Sequence, residues 1–187
     1  MAAVGQSWMM TGEDTGDPNP VPMHATPPEA KQQRKFWWVN QNKTYVDEIR
    51  GGFLWSPTTK SNGARNPYYD TMCDVRVGDV VFSFYKSRIQ NWGTIVETAQ
   101  RSPKPNFGDG DQSYWNTDGW LVKINFEAVA QPFRPKAFID EIRPLLPEKY
   151  SPLQHKNGNG VQPVYLTGIS EDFATLLLRL GNVTLGA

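Results

Sequence analysis

The order of short apolar segments from Phe36 onward constrains the fold of this chain more than any other feature. Lys35 to Asn40 (K-F-W-W-V-N) is too short and too aromatic for a helix and reads as a buried strand. Thr44 stands where it can cap a short helix through Arg50, with Asp47 and Glu48 in the favourable first turn and Gly51 as the stop. Asn66-Pro67, a cap followed by proline at the first helical position, starts a second helix carrying Tyr68 to Cys73. Gly78-Asp79 forms a turn, after which Val80 to Tyr85 and Ile89 to Thr98 read as strands joined by a short polar connection. Gly119 to Val129 is a further strand, its apolar surface supplied by Leu121, Ile124 and Phe126. Pro135 to Ile142 reads as a short helix and Val161 to Leu166 as a strand. Ser170 caps a last helix that turns Phe173, Leu176, Leu177 and Leu180 inward before Gly181. The order β-α-α-β-β-β-α-β-α predicts an α+β fold, a strongly curved sheet or small barrel with helices around it.

Composition limits the rest. A chain of 187 residues rich in Pro and Gly holds one good core, so one domain plus tails is expected. Residues 1–35, with T-G-E-D-T-G-D-P-N-P-V-P and A-T-P-P-E-A-K-Q-Q-R-K, are Pro-rich, polar and aperiodic, and are expected to be a disordered tail. Trp8, Met9 and Met10 interrupt it, as a docking motif or an incidental apolar cluster. Residues 182–187 form a C-terminal tail. Net charge is zero, and residues 36–187 carry sixteen Lys or Arg against fifteen Asp or Glu, so no global field draws in nucleic acid. Cys73 is the only cysteine, which excludes an internal disulfide and, with only His24 and His155, a Cys/His zinc cluster. No apolar run approaches the roughly 20 residues of a membrane span, and no signal-peptide pattern starts the chain, so the cytoplasm is the expected compartment.

Aromatic residues stand among amides, hydroxyls and cations in N-Q-N-K-T-Y from Asn40, F-L-W-S-P around Trp55 and Y-W-N-T-D-G-W from Tyr114. Flat rings beside donors and acceptors suit the reading of an unstacked nucleobase. Trp55 and Trp115, with Tyr114 beside it, are the candidate walls. Trp37 and Trp38 face opposite sides of one strand, so at least one belongs to the core, and Trp92 and Trp120 read as packing residues. Lys43, Lys60, Arg65, Lys86, Arg88 and Lys156, in loops or at strand ends, are candidate contacts to the phosphate backbone or ordinary solvated charge. The N-G-N-G turn, with Asn157 and Asn159, either offers backbone N–H groups to nucleic acid or is a plain tight turn. Catalysis is poorly supported. His155 is the only histidine beyond the tail, too few for an HNH nuclease, and Asp109, Asp111 and Asp118 read as a solvated acidic cluster. Cys73 is expected to be buried, and neither cofactor nor metal is expected.

Blocks in consistent order carry a family likeness: F-W-W-V-N, G-A-R-N-P, V-G-D-V-V-F-S-F-Y, I-Q-N-W-G-T-I-V-E, G-W-L-V-K-I-N-F, Y-S-P-L-Q and N-G-N-G-V-Q-P-V-Y-L. Together they resemble the EVE domain of the PUA-like superfamily, most closely the EVE domain at the N-terminus of bacterial HNH endonucleases of modification-dependent restriction. The resemblance spans about residues 36–181 and implies a PUA-like curved mixed sheet or small β-barrel surrounded by short helices. It also implies a non-catalytic reader of DNA with a modified base, methylated or hydroxymethylated cytosine included, that targets an HNH-type nuclease domain or subunit. EVE domains are related to YTH readers of methylated adenine. By that likeness Trp55 and Trp115 occupy the places of two aromatic cage residues, Ser56 adds a hydroxyl, and Asn40, Gln41 and Asn42 face the base edge. Amides here replace the basic and hydroxyl-bearing stretch of YTH domains, so their adenine specificity does not carry over and cytosine is left open. A reader of N6-methyladenine or modified RNA and a non-catalytic interaction scaffold are the alternatives.

Overall fold

A computed structural model describes residues 33–59, 62–107 and 117–186. Residues 1–32, Lys60, Asp109, Asp111, Tyr114 and Trp115 lie outside the described residues, and with them most of the expected N-terminal tail. The strands are β1 (Phe36–Asn40), β2 (Phe53–Pro57), β3 (Val80–Tyr85), β4 (Arg88–Pro103), β5 (Asp118–Phe133) and β6 (Leu166–Ile169). The helices are α1 (Tyr45–Gly51), α2 (Pro67–Asp70), α3 (Ile139–Ile142) and α4 (Glu171–Gly181), with 3-10 turns at Thr71–Asp74, Pro135–Phe138 and Arg143–Leu145. One sheet runs in the order β2-β5-β4-β3-β1-β6; β1 and β3 are parallel and the other neighbours antiparallel. Three register shifts between β4 and β5 add local twist, and the sheet curls into a half-barrel. This is the expected α+β, PUA-like architecture.

Trp37 and Trp38 show how the sheet divides the interior. Alternation along β1 sends Trp38 to one side, against Phe82, Trp92, Val129 and α4, where it stacks on Phe173 at 5.9 Å between ring centroids. Trp37 goes to the other side with Val39, Leu54, Val81 and Val122, and its indole N–H donates to Asp79 Oδ2 at 2.9 Å. Both are core residues. Asp79 also accepts from the Lys35 and Arg76 backbone N–H groups, so one buried carboxylate holds the start of β1 to the turn before β3. Val183 and Leu185 of the C-terminal segment pack on the Trp38 side.

Local departures from expectation have physical causes. Strands β4 and β5 are each sixteen residues long because they pair with each other beyond the core, from Gln100 opposite Leu121 to Pro103 opposite Asp118. Strand β6 begins at Leu166, where Val161 to Leu166 was expected to end: Pro163 cannot donate to a ladder, and Val161 and Val164 give their carbonyls to Asn40 instead. Helix α1 stops at Gly52 rather than Gly51, since Gly52 adopts the left-handed φ of 65°, and α4 runs through Gly181 to Asn182 at φ 50°. Thr44 occupies the cap position without capping, its hydroxyl bonded to Glu48. Asn66 and Ser170 do cap, accepting from Tyr68 and Phe173 backbone N–H groups. Cys73 is exposed, because Met72 takes the inward position of that 3-10 turn. Among the described residues no helix is long and apolar enough to cross a membrane.

Candidate functional site

Where the parallel strands β1 and β3 end side by side, the chain leaves the sheet in two directions and a cleft of about 430 Å³ opens. Asn40, Gln41 and Asn42 line it from the exit of β1, Phe84, Lys86 and Ser87 from the end of β3, and Gly160, Val161 and Gln162 from the loop before β6. Gly160 permits the close approach of that loop: a Cβ there would lie 2.8 Å from the Phe84 ring. The β3–β4 turn is tight, with Lys86 at φ 46° and Ser87 at φ 63°. Two successive left-handed non-glycine residues cost on the order of 1–3 kcal/mol each, strain that is concentrated at functional sites. Lys86 Nζ sits 5.1 Å from the Tyr85 ring centroid, and Tyr85 in turn stacks on Tyr45 at 3.9 Å.

The three amides differ in what they have left to give. Asn40 is fully engaged: its Nδ2 donates to the Val161 and Val164 carbonyls at 3.1 and 2.8 Å, and its Oδ1 accepts from Trp38 Nε1 at 2.8 Å. It shapes the cleft by tying the two walls together. Gln41, only 6 % exposed, accepts from Ser83 Oγ and donates to Glu48 Oε2 at 2.8 Å. Asn42 is exposed and its side chain makes no hydrogen bond among the described residues, so it is the amide with free capacity toward a ligand.

Beneath the cleft lies Glu48, which stands in the first turn of α1 as expected but points into the core rather than to solvent. It is fully buried, and among the described residues no cation pairs with it. Its carboxylate accepts from Gln41 Nε2, from Tyr165 OH at 2.7 Å, from the Trp55 backbone N–H at 3.1 Å and from Thr44. Burial nevertheless pushes the carboxyl up to about 7, outweighing the four hydrogen bonds that pull the other way. Burial, then the neighbouring Glu48, holds the Tyr165 phenol well above its ordinary range, so it stays a donor. No local sequence signal marks Glu48, since its burial depends on β1, β2 and the loop before β6 packed around it.

Other expected site residues fall elsewhere. Trp55, expected as an open cage wall, is a β2 core residue opposite Leu121, 2 % exposed, with the edge of Phe107 against its ring and Gly119 backed onto its six-membered ring. It does not line the cleft. Ser56 beside it is 1 % exposed, and its Oγ has no hydrogen-bond partner among the described residues. Arg65 is paired with Asp70 at 2.6 Å, and Asp118 with Arg101 at 2.6 Å, so neither is simply solvated. Arg88 reaches the Pro132 carbonyl at 3.5 Å, while Lys43 and Lys156 are exposed. The N-G-N-G turn spends its backbone donors on itself: the N–H groups of Asn157 and Gly158 bond to the Gln154 carbonyl and that of Asn159 to Asn157 Oδ1. Asn159 Oδ1 accepts from Lys136. Among the described residues, Lys86 is the one proposed cation that lines the cleft.

Comparison with solved structures settles the architecture. The DUF55 domain of human thymocyte nuclear protein 1 superposes over 80 % of this chain and 99 % of that chain, with a TM-score of 0.50 and 10 % identity. The chain shares the fold of that domain. Two further structures are similar at lower TM-scores. Human THYN1 protein in complex with 5-methylcytosine containing DNA covers 81 % of this chain and 100 % of its own, at 11 % identity and TM-score 0.49. The Pho92 YTH domain in complex with m6A covers 88 % and 94 %, at 14 % identity and TM-score 0.47. No family model matches the chain, and no curated protein does.

Proposed function

We propose that this chain reads a modified nucleobase in nucleic acid, with methylated or hydroxymethylated cytosine in DNA as the ligand, flipped out of the duplex into the cleft at the ends of β1 and β3. One observation carries the reading: the free amide of Asn42, the Gln41 amide, the Phe84 ring and the Lys86 cation converge on a cleft of about 430 Å³. Thymocyte nuclear protein 1, whose DUF55 domain has this fold, binds 5-methylcytosine containing DNA.

Energetics shape what such a site must do. Extracting a base costs a few kcal/mol, and stacking on an aromatic face returns roughly 1–3 kcal/mol. The added methyl group contributes only about 0.8 kcal/mol of apolar burial, so hydrogen bonds to the rest of the base carry most of the selection. A hydroxymethyl group adds a hydrogen bond of about 1 kcal/mol. With zero net charge, affinity rests on local cations such as Lys86, and modest intrinsic selectivity is sharpened by avidity in a larger assembly. In this reading residues 36–181 are a non-catalytic targeting domain in the cytoplasm, and cleavage belongs to an HNH-type nuclease domain or subunit of a modification-dependent restriction system.

The test is titration of matched duplexes carrying one central cytosine, 5-methylcytosine, 5-hydroxymethylcytosine or N6-methyladenine at one stated salt concentration, with an RNA counterpart. We expect several-fold preference for a C5-modified cytosine, reduced roughly fivefold by Asn42→Ala with the fold intact. Equal binding to all, or none, overturns the reading; preference for N6-methyladenine or RNA redirects it.

A further inference from the structure

Gln41 lines the cleft, but which way its amide faces is not its own choice. A carboxylate only accepts, so ionised Glu48 forces the Gln41 NH₂ toward itself and leaves the Gln41 carbonyl to accept from Ser83 Oγ. The whole row is buried, with Gln41 at 6 % exposure and Glu48 and Ser83 at 0 %. Add a proton to Glu48 Oε2 and that oxygen becomes a donor. The row is then satisfied by the opposite arrangement, with Oε2–H donating to the Gln41 carbonyl and the Gln41 NH₂ donating to Ser83 Oγ, which changes from donor to acceptor. Each arrangement leaves one Gln41 N–H and one carbonyl lone pair unused, and the two exchange places when the amide turns over.

We infer that Glu48 is the specificity-determining partner of Gln41: through the Ser83–Gln41–Glu48 row, its charge state sets whether Gln41 offers a donor or an acceptor to the edge of a base in the cleft. This rests on the proposed base-reading function and specifies its regulation. The chemistry it distinguishes is concrete. Cytosine presents an amino donor at position 4 and an acceptor at N3, whereas thymine presents a carbonyl acceptor and an N3–H donor, the inverse pattern. Both accept the same C5 methyl group, so in 5-methylcytosine and thymine only the edge differs.

The groups facing Glu48 make it the member of the row that titrates. Thr44 from α1, Gln41 from the end of β1 and the Trp55 N–H of β2 are not ionisable. Tyr165, in the loop before β6, is held as a neutral donor, with Tyr69 the further titratable group acting on it. The carboxyl itself lies near neutrality, at about 7.

The probes are two duplexes identical except for a central 5-methylcytosine or thymine opposite an abasic site, so that neither base has a partner to lose. In the wild-type protein the ratio of the two affinities should change by roughly fivefold, one hydrogen bond's worth, between about pH 6 and about pH 8. Glu48→Gln, a neutral side chain that can donate as the protonated acid does, should hold the ratio at the wild-type acid value across that range. A ratio that stays flat in the wild type, or that titrates equally in Glu48→Gln, overturns the inference. Should Glu48→Gln fail to fold, NMR of the wild-type Gln41 side-chain amide decides: its resonances should titrate with a midpoint near neutrality, and unmoved resonances overturn the assignment. Failure of the reading itself looks different, since 5-methylcytosine would then not be preferred over cytosine in the matched duplexes, while the Gln41 resonances still titrate.

Discussion

The cleft at the end of β1 and the Trp55 site on β2 hold the same kinds of group, rings beside amides and hydroxyls, at opposite extremes of exposure. Asn42 and Lys86 are open to solvent and Phe84 half-buried, whereas Trp55 and Ser56 are 2 % and 1 % exposed. Glu48 joins the two, holding Gln41 under the cleft with one oxygen and the Trp55 backbone N–H with the other. The difference teaches that polar company does not make a site. Strand β2 is paired along its length with β5, and Gly119 and Phe107 cover the Trp55 ring, so that region stabilises. The cleft lies just past a strand end, where Asn42 keeps unused hydrogen-bonding capacity.

That contrast can be broken most directly at Trp55. Trp55→Ala should cost about 3–5 kcal/mol in denaturant unfolding while binding per folded molecule is kept. Lost binding at unchanged stability would move the site to β2. The next effect is on pH. With the folded-state carboxyl of Glu48 at about 7 against an ordinary 4.5, the folded protein binds the extra proton, so its contribution to stability is full below 4.5 and is lost as pH rises through 7. The loss is on the order of 3 kcal/mol across that window, at about 1.4 kcal/mol per pH unit, and unfolding curves of Glu48→Gln should lack it. Asn40→Ala should follow at about 1–3 kcal/mol, because it leaves the Val161 and Val164 carbonyls and the Trp38 indole N–H without their partner, and thermal melts would register it. Smallest is Ser56→Ala. Since Ser56 Oγ has no partner to lose, the change should be neutral or stabilising by up to about 1 kcal/mol, and a clear destabilisation in melts would reveal a partner for that hydroxyl.

Residues whose role is set by their nearest neighbours were legible in the sequence. Asn66 and Ser170 cap the helices expected of them, and β1 and β3 lie close to their expected bounds, because a cap or an aromatic, β-branched run acts over a few residues. Asn40, Gln41, Asn42 and Lys86, all singled out from the sequence, line one cleft. Asn40 could be recognised as an amide at a strand end, but not as one whose Nδ2 is spent on a loop more than a hundred positions away. Gly51 and Gly52 offered two equivalent stops for α1, and the backbone chose the second. Trp55 misled because the sequence sets it among polar neighbours, and only the pairing of β2 with β5 buries its ring.

The sequence by itself determined the α+β class, most of the strands and helices, and the chemical groups available at the end of β1. Only the tertiary structure decided which of those groups remain free and which charge must be buried. Glu48 makes the reason plain: its partners Gln41 and Tyr165 are separated from it by 7 and 117 positions, and Gln41 is fixed by Ser83, 42 positions away. Desolvation of a carboxylate is a property of everything packed around it, and no local run of residues encodes that.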